Sequence, residues 1–131
     1  MKKVILIILF AIAGMTSIKA QSVVKLKSDI TTVCKGVDDN DANCTDQKKN
    51  STIVIDEIKN RIYIKDSDGK IKYPAAITSS FTENSQYGDI FRFRLTGDDG
   101  VSMTWSIYTG MNIAIMIYGD KFEMKFHVLP D

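Results

Sequence analysis

Apolar and polar side chains alternate with a period of two residues in one short segment after another along the chain beyond residue 52. Successive side chains of a β-strand point to opposite faces of a sheet, so this pattern is typical of strands with one buried face. The apolar positions are Ile53/Ile55, Ile62/Ile64, Ile71/Tyr73, Phe91/Phe93/Leu95, Val101/Met103/Trp105/Ile107, Ile113/Ile115/Ile117 and Phe122/Met124/Phe126/Val128. No comparable window shows the 3.6-residue period of a helix, so we predict an all-β protein with little helix.

Segments rich in Gly, Asp and Asn separate these predicted strands and favour hairpin turns. Pairing across each turn brings apolar residues together, namely Ile55 with Ile62, Ile64 with Ile71, Leu95 with Val101, Ile107 with Ile113, and Ile117 with Phe122. The first hairpin also places Asp56 beside Arg61 as a cross-strand pair of opposite charge. Because consecutive hairpins need no crossover, we predict an antiparallel, meander-rich fold of about eight to nine strands, either a small β-barrel or a curved β-sandwich.

The remaining strand boundaries follow from local composition. Val24 and Leu26 alternate with lysines and predict a first strand. Pro74 is expected at a strand end or edge because proline cannot donate to a ladder, and the polar residues 83–88 predict a loop. The inward rows are almost uniformly bulky, so we expect Trp105 and the aromatic residues around it to fill the core rather than line a ligand cavity.

The beginning of the chain has the three parts of a secretory signal peptide. Lysines precede an uncharged apolar run, Val4–Met15, and a small residue, Ala20, follows at a suitable cleavage position. The alternative is a membrane anchor, which needs about 20 apolar residues, and Lys19 ends the run sooner. We predict a signal peptide over 1–20 and a single secreted or periplasmic domain over 21–131; the choice between periplasm and medium stays open.

Removal of the signal changes the charge balance. The full chain has 17 Lys and Arg against 16 Asp and Glu. Loss of Lys2, Lys3 and Lys19 leaves 14 bases against 16 acids, a formal charge of −2. A nucleic-acid partner would require a basic stripe, so we expect no nucleic acid, and no membrane contact after signal removal.

The two cysteines, Cys34 and Cys44, are predicted to form a disulfide, since an exported chain meets an oxidising compartment and no other pairing exists. The segment between them is acidic and polar and predicts a loop. A metal site is the alternative, but two cysteines and the single histidine, His127, fall short of the four ligands of zinc.

The same loop places Asp39, Asp41 and Asn43 at positions 1, 3 and 5 of an EF-hand-like spacing. The turn glycine of that pattern is replaced by Cys44, and the bidentate glutamate is replaced by Asn50. We therefore predict a solvated loop; whether it binds calcium stays open.

No set of residues in the sequence has the spacing of a catalytic site. His127 is predicted on the outer face of the last strand, and neither Ser102 nor Ser106 lies on a strained turn that would present a nucleophile. The acids gather in turns, where backbone conformation explains them. We find no glycine loop for phosphates and no dinucleotide motif, so we predict no cofactor.

Arg92 and Arg94 share the outer face of one predicted strand, close to Ser102 and Thr104, and could bind an anion or a partner. The alternative is an ordinary solvated strand face. The sequence thus favours a non-catalytic binding or interaction module whose partner is a protein, a glycan or a small molecule. The second hypothesis is a small extracytoplasmic hydrolase with an acid pair in a loop cleft.

Overall fold

Eight antiparallel strands form a closed barrel in the computed structural model, which describes residues 22–35 and 44–130. The strands are β1 (Val23–Lys35), β2 (Cys44–Asp56), β3 (Arg61–Asp66), β4 (Ile71–Ser85), β5 (Gly88–Gly97), β6 (Ser102–Tyr108), β7 (Ile113–Tyr118) and β8 (Phe122–Val128). Each strand pairs with the next, and β8 pairs with β1. The predicted all-β meander is confirmed, and the barrel is the form that it takes.

Two of the predicted features lie outside the described residues. These are the signal peptide over 1–20 and the Asp39/Asp41/Asn43 loop. Within the described residues, no helix is long and apolar enough to cross a membrane.

The predicted disulfide is confirmed: Cys34 is bonded to Cys44. The two residues are direct cross-strand partners in the β1–β2 pair, and Cys34 is buried. The bond therefore fastens β1 to β2 at one end of the barrel.

The core fills the barrel interior around Trp105, which is fully buried and stacks on Phe126 with 5.4 Å between the ring centroids. The inward rows predicted for β5 and β6 are confirmed, because the apolar side chains of the two strands are buried together. They are Phe91, Phe93, Leu95, Met103, Trp105 and Ile107.

The face predicted for β7 is wrong. A two-residue turn would have paired Ile117 with Phe122, but the loop has three residues and Tyr118 pairs with Phe122. Since a one-residue slip inverts a strand, Ala114 and Met116 are buried. The predicted inward residues Ile113, Ile115 and Ile117 are only partly buried and point outward.

The β2–β3 hairpin is confirmed as predicted, with Ile55 opposite Ile62 and Asp56 opposite Arg61. The remaining hairpins are shifted by one or two residues. Leu95 pairs with Met103, Ile107 with Ala114, and Ile71 with Lys65. These shifts arise because the loops differ in length from those expected.

Strands β1, β2 and β4 are longer than predicted. Pro74 lies within β4 rather than at its end, and the strand continues through the first half of the predicted loop 83–88 to Ser85. Strand β4 accommodates Pro74 beside a pairing irregularity, next to Tyr73, which has a φ of +52°.

An irregularity between Ser28 and Ile30 changes which side chains of β1 point inward. Before it Val24, Leu26 and Ser28 are buried; after it the inward positions are Thr31 and Val33. The extra residue of a bulge causes this change of phase.

Strand β1 starts and β8 ends at the same end of the barrel. There the Leu129 amide donates to the Lys27 carbonyl at 2.8 Å. The Cys34–Cys44 bond and the start of β8 lie at the opposite end, beside the site described next.

Candidate ligand-binding site

A cavity of about 430 Å³ opens at the barrel end where β1 meets β2, β3 turns into β4 and β7 turns into β8. Small-molecule sites commonly occupy about 300–1,000 Å³. The lining residues are Thr31, Val33, Lys35, Gln47, Lys49, Ser51, Ile64, Asp66, Lys72, Tyr73, Lys121, Phe122, Met124 and Phe126. The aromatic residues around Trp105 fill the core as predicted, but the prediction of uniformly bulky inward rows is wrong at this end of the barrel.

The space exists because inward positions of β1 and β2 carry small or polar side chains near this end. Thr31 occupies such a position on β1, and Gln47 and Ser51 do so on β2. Bulky side chains follow further along both strands, where the core is closed. Phe126 belongs to both regions: it lines the cavity and stacks on Trp105 in the core.

Two aromatic residues of the lining, Tyr73 and Phe122, form one wall of the cavity, and Tyr118 packs against both without lining it. Tyr73 of β4 makes edge contacts with Tyr118 at 5.6 Å and with Phe122 at 5.7 Å between ring centroids. Tyr118 and Phe122 stack on each other at 5.0 Å, and the Tyr118 hydroxyl donates to Asp99. These contacts fix the wall, because they tie β4 to the β7–β8 hairpin.

One carboxylate lies among the lysines of the cavity. Asp66 is 3.0 Å from Lys72 Nζ and 3.4 Å from Lys49 Nζ, and its side chain is only 9 % exposed. Burial raises the pKa of Asp66, but hydrogen bonds and charges from Lys72 and Lys49 together outweigh it and hold the pKa below its usual value. The hydrogen bond to Asp66 raises the pKa of Lys72.

The cavity has an excess of positive charge. Four lysines and one aspartate line it, which gives these residues a formal charge of +3. Lys35 and Lys121 make no ion pair with any described residue. Lys35 and Lys72 lie at strand ends, and Lys121 lies in the β7–β8 loop. Lys49 lies within β2, two residues beyond the last β2–β3 pair, and the apolar side chains continue towards the core.

Ser51 provides a polar group deeper in the wall. The residue is 94 % buried, and its Oγ has no hydrogen-bond partner among the described residues. It lies between Lys49 and the core residue Ile53 along β2, and opposite Asp66 on β3. A buried hydroxyl without a partner costs about 1–3 kcal/mol, so a polar group placed here would be stabilised.

A second depression of about 300 Å³ lies beside the β1 irregularity. It is formed by Lys27, Ser28, Asn50, Ser51, Thr52, Ser67 and Leu129. It has no aromatic wall and a single charged side chain, which makes it a poorer ligand site than the cavity.

The predicted site residues Arg92 and Arg94 are on the outer surface and do not line the cavity. Arg92 donates to Glu83 at 2.8 and 3.3 Å and to Ser106 at 3.0 Å, and the bond to Glu83 raises the pKa of Arg92. Arg94 is exposed and pairs across the ladder with Thr104. An anion- or partner-binding role for the two arginines stays a prediction.

The candidate catalytic groups are also apart from the cavity. His127 is on the outer surface, where its Nδ1 lies 2.8 Å from Asp29 Oδ1, and this bond lowers the pKa of Asp29. Asp98 pairs with Arg61 at 2.6 Å. Among residues 22–35 and 44–130, no group of three or more His, Cys, Asp or Glu could hold a metal ion.

One feature of the sequence, a row of polar residues in β2, indicates the cavity. Gln47, Lys49 and Ser51 have the same parity as the inward residues Ile53 and Ile55, so a long β2 would direct polar side chains into the barrel. An inward polar row on an otherwise apolar strand face is typical of a site rather than a core.

Comparisons of the chain with models of protein families, with curated proteins and with solved structures found no match.

Proposed function

We propose that this protein is an exported, non-catalytic binding module that holds a small molecule with an apolar body in the cavity of its barrel. The observation that carries the proposal is the cavity of about 430 Å³ beside a closed core. Its inner wall is apolar, with Ile64, Met124 and Phe126 near the core and aromatic rings at one side. Burial of apolar ligand surface against these residues would supply the binding free energy.

Export is supported by two observations on different parts of the chain. The first is the basic start, short apolar run and small residue before position 21. The second is the Cys34–Cys44 bond, because disulfides persist in oxidising compartments. We propose a secreted or periplasmic location on these grounds.

The alternative, a hydrolase with paired carboxylates, has no supporting geometry among the described residues. Asp66 is the one acid that lines the cavity, and two lysines already bind it. A glycoside hydrolase would need a second carboxyl group about 5–10 Å away in the same cleft.

The test is a titration of the purified, oxidised protein with a neutral apolar fluorophore such as N-phenylnaphthylamine. We expect saturable binding of one fluorophore per protein, with energy transfer from Trp105, the single tryptophan of the chain. Phe126 links the cavity to Trp105, so the transfer should be efficient.

A matched pair of variants on β1 locates the binding. Val33→Phe places a larger side chain in the cavity, and we expect the affinity to fall by about tenfold or more, a change of about 1.4 kcal/mol. Val23→Phe makes the same change at a position that is 43 % exposed and outside the cavity, and should leave binding unchanged. Absence of saturable binding, or equal effects of the two variants, would contradict the proposal.

A further inference from the structure

We infer that the ligand of this cavity is a small amphipathic anion whose apolar tail lies against Met124 and Phe126 and whose anionic head lies among Lys35, Lys49 and Lys121. This inference rests on the proposed function and narrows it to one chemical class. The headgroup is a carboxylate, sulfonate or phosphate on an apolar chain.

The first support is the distribution of charge along the cavity. Apolar side chains line it near the core, and four lysines line it towards the strand ends. A ligand with one apolar and one anionic end matches this polarity, whereas a neutral apolar molecule would leave the lysines without a counter-charge. The low-dielectric wall strengthens the attraction between the lysines and an anion.

The second support is that the one carboxylate of the cavity lining does not neutralise the four lysines. Asp66 interacts with Lys49 and Lys72 and offsets one of the four positive charges. Lys35 and Lys121 have no carboxylate partner among the described residues. An entering anion would form ion pairs with these two lysines without competition from a carboxylate, and it would share Lys49 with Asp66.

The third support is a buried hydroxyl group in the cavity wall. The Ser51 hydroxyl is buried in the wall without a partner and lies two residues from Lys49 on the same strand face. A headgroup oxygen in this part of the cavity would give Ser51 Oγ an acceptor for its hydrogen bond. A hydrogen bond to a charged acceptor is stronger than one to a neutral group, which favours the anion over an alcohol.

The test compares two ligands with the same chain and different heads, dodecanoate and dodecanol, each below its aggregation limit. Binding is followed by Trp105 fluorescence and by calorimetry. We expect dodecanoate to bind at least about tenfold more tightly, with a preference that declines as salt rises. Dodecyltrimethylammonium should bind more weakly than either.

The two proposals fail differently in this experiment. If dodecanol binds as tightly as dodecanoate, the anionic headgroup is wrong and the binding function stands. If neither ligand nor the neutral fluorophore binds, both proposals are wrong.

Variants at the unpaired lysines locate the headgroup without disturbing Asp66. Lys35→Gln with Lys121→Gln should weaken dodecanoate binding by about tenfold and leave dodecanol binding unchanged. The matched control is Lys48→Gln with Lys70→Gln, which removes two exposed lysines that do not line the cavity. Equal affinities for dodecanoate in the two double variants would overturn the placement of the head.

Asp66→Asn tests the inference with a variant that should strengthen dodecanoate binding rather than weaken it. It removes the internal competitor for Lys49 and raises the formal charge of the lining residues from +3 to +4. We expect tighter dodecanoate binding by several-fold and no change for dodecanol. Weaker dodecanoate binding in a variant whose circular dichroism shows the parent fold at the assay temperature would contradict the inference.

Discussion

Asp66 is held in its charged form by two lysines although its side chain is 9 % exposed. Asp66 neutralises one of the four positive charges that lysines bring to the cavity. Without it, Lys49 and Lys72 would repel each other across the barrel mouth. The same carboxylate would repel the anionic ligand that we propose, so its replacement should strengthen ligand binding and lower stability.

The ion pairs of Asp66 with Lys49 and Lys72 make the stability of the fold depend on pH. Because the folded-state pKa of Asp66 lies below its ordinary value of 3.8, its contribution is complete above that value and is lost as the pH falls through the folded-state pKa. We expect Asp66→Asn to lower the free energy of unfolding by about 1–2 kcal/mol at neutral pH. The difference from the parent should shrink below about pH 4.

Denaturant titrations at several pH values measure this difference. Asp120→Asn is the control, since it removes an exposed carboxylate that makes no ion pair within the described residues. A difference between parent and Asp66→Asn that does not change from pH 7 to pH 3 would show that the lysine contacts do not stabilise the fold.

The β4–β5 hairpin rests on the β6–β7 turn through backbone contacts. Thr109 donates to the Asp89 carbonyl from its amide at 3.2 Å and from its hydroxyl at 2.7 Å. At Gly110 an added side chain would overlap the carbonyl of Tyr87. The hairpin can therefore dock only where the turn has no side chain.

We expect Gly110→Ala to lower the free energy of unfolding by about 3 kcal/mol or more, since the hairpin must move away from the turn. The control is Gly100→Ala, where an added Cβ meets nothing within 4 Å and only the φ of +86° is unfavourable. That strain costs about 1–2 kcal/mol. Chemical denaturation of both variants checks the order, and equal losses would show that the docking contact has little effect.

Strand existence was predictable from the sequence, whereas the register and face of individual strands were less so. In β5 and β6 every second residue is clearly polar, so the inner face was unambiguous and is confirmed. In β7 both faces are apolar, and only the length of the loop after Tyr118 selects Met116 over Ile117 as inward. Loop length is set by backbone conformation that composition does not report.

The cavity was missed for a similar reason. The change of phase in β1 depends on a single extra residue between Ser28 and Ile30, and no Asn, Gly or Pro marks that position in the sequence. The pairing irregularity at Tyr73 likewise cannot be read from a period-two pattern. Arg92 and Arg94 were noticed because their charge stands out on an alternating strand. The inward lysines of β1 and β2 were not, since both segments were expected to be partly loop.

Across the whole barrel, three strands contribute only to the filled region, whereas the other five contribute to both the core and the cavity. β5 and β6 contribute core side chains, and no described residue of β5, β6 or β7 lines the cavity. Such an arrangement allows a ligand to enter one part of the barrel while the packed part keeps the fold closed. Ligand binding should then stabilise the folded state without a change of secondary structure.

We expect dodecanoate at 100 times its dissociation constant to add about 2.7 kcal/mol to the free energy of unfolding. For a chain of this size the melting temperature should rise by roughly 10 °C. Differential scanning calorimetry measures the shift, with Val33→Phe as the control in which it should be much smaller. A shift of equal size in that variant would place the ligand outside the cavity.

The hydrogen bond from Leu129 to Lys27 has a practical consequence for how this barrel can be attached to something else. Strand β1 starts and β8 ends at the barrel end opposite the cavity mouth, and the chain after β8 is bonded to β1 at Lys27. A fusion partner, a tether or a solid support joined at either end would leave the mouth facing outward. A peptide joining residues 130 and 22 would have to span the five residues from Lys27 back to Ser22, about 17 Å of extended strand. Such a linker would give a circular permutant, opened at the exposed Ser67–Gly69 turn or another surface loop, with all eight strands still in their ladder order.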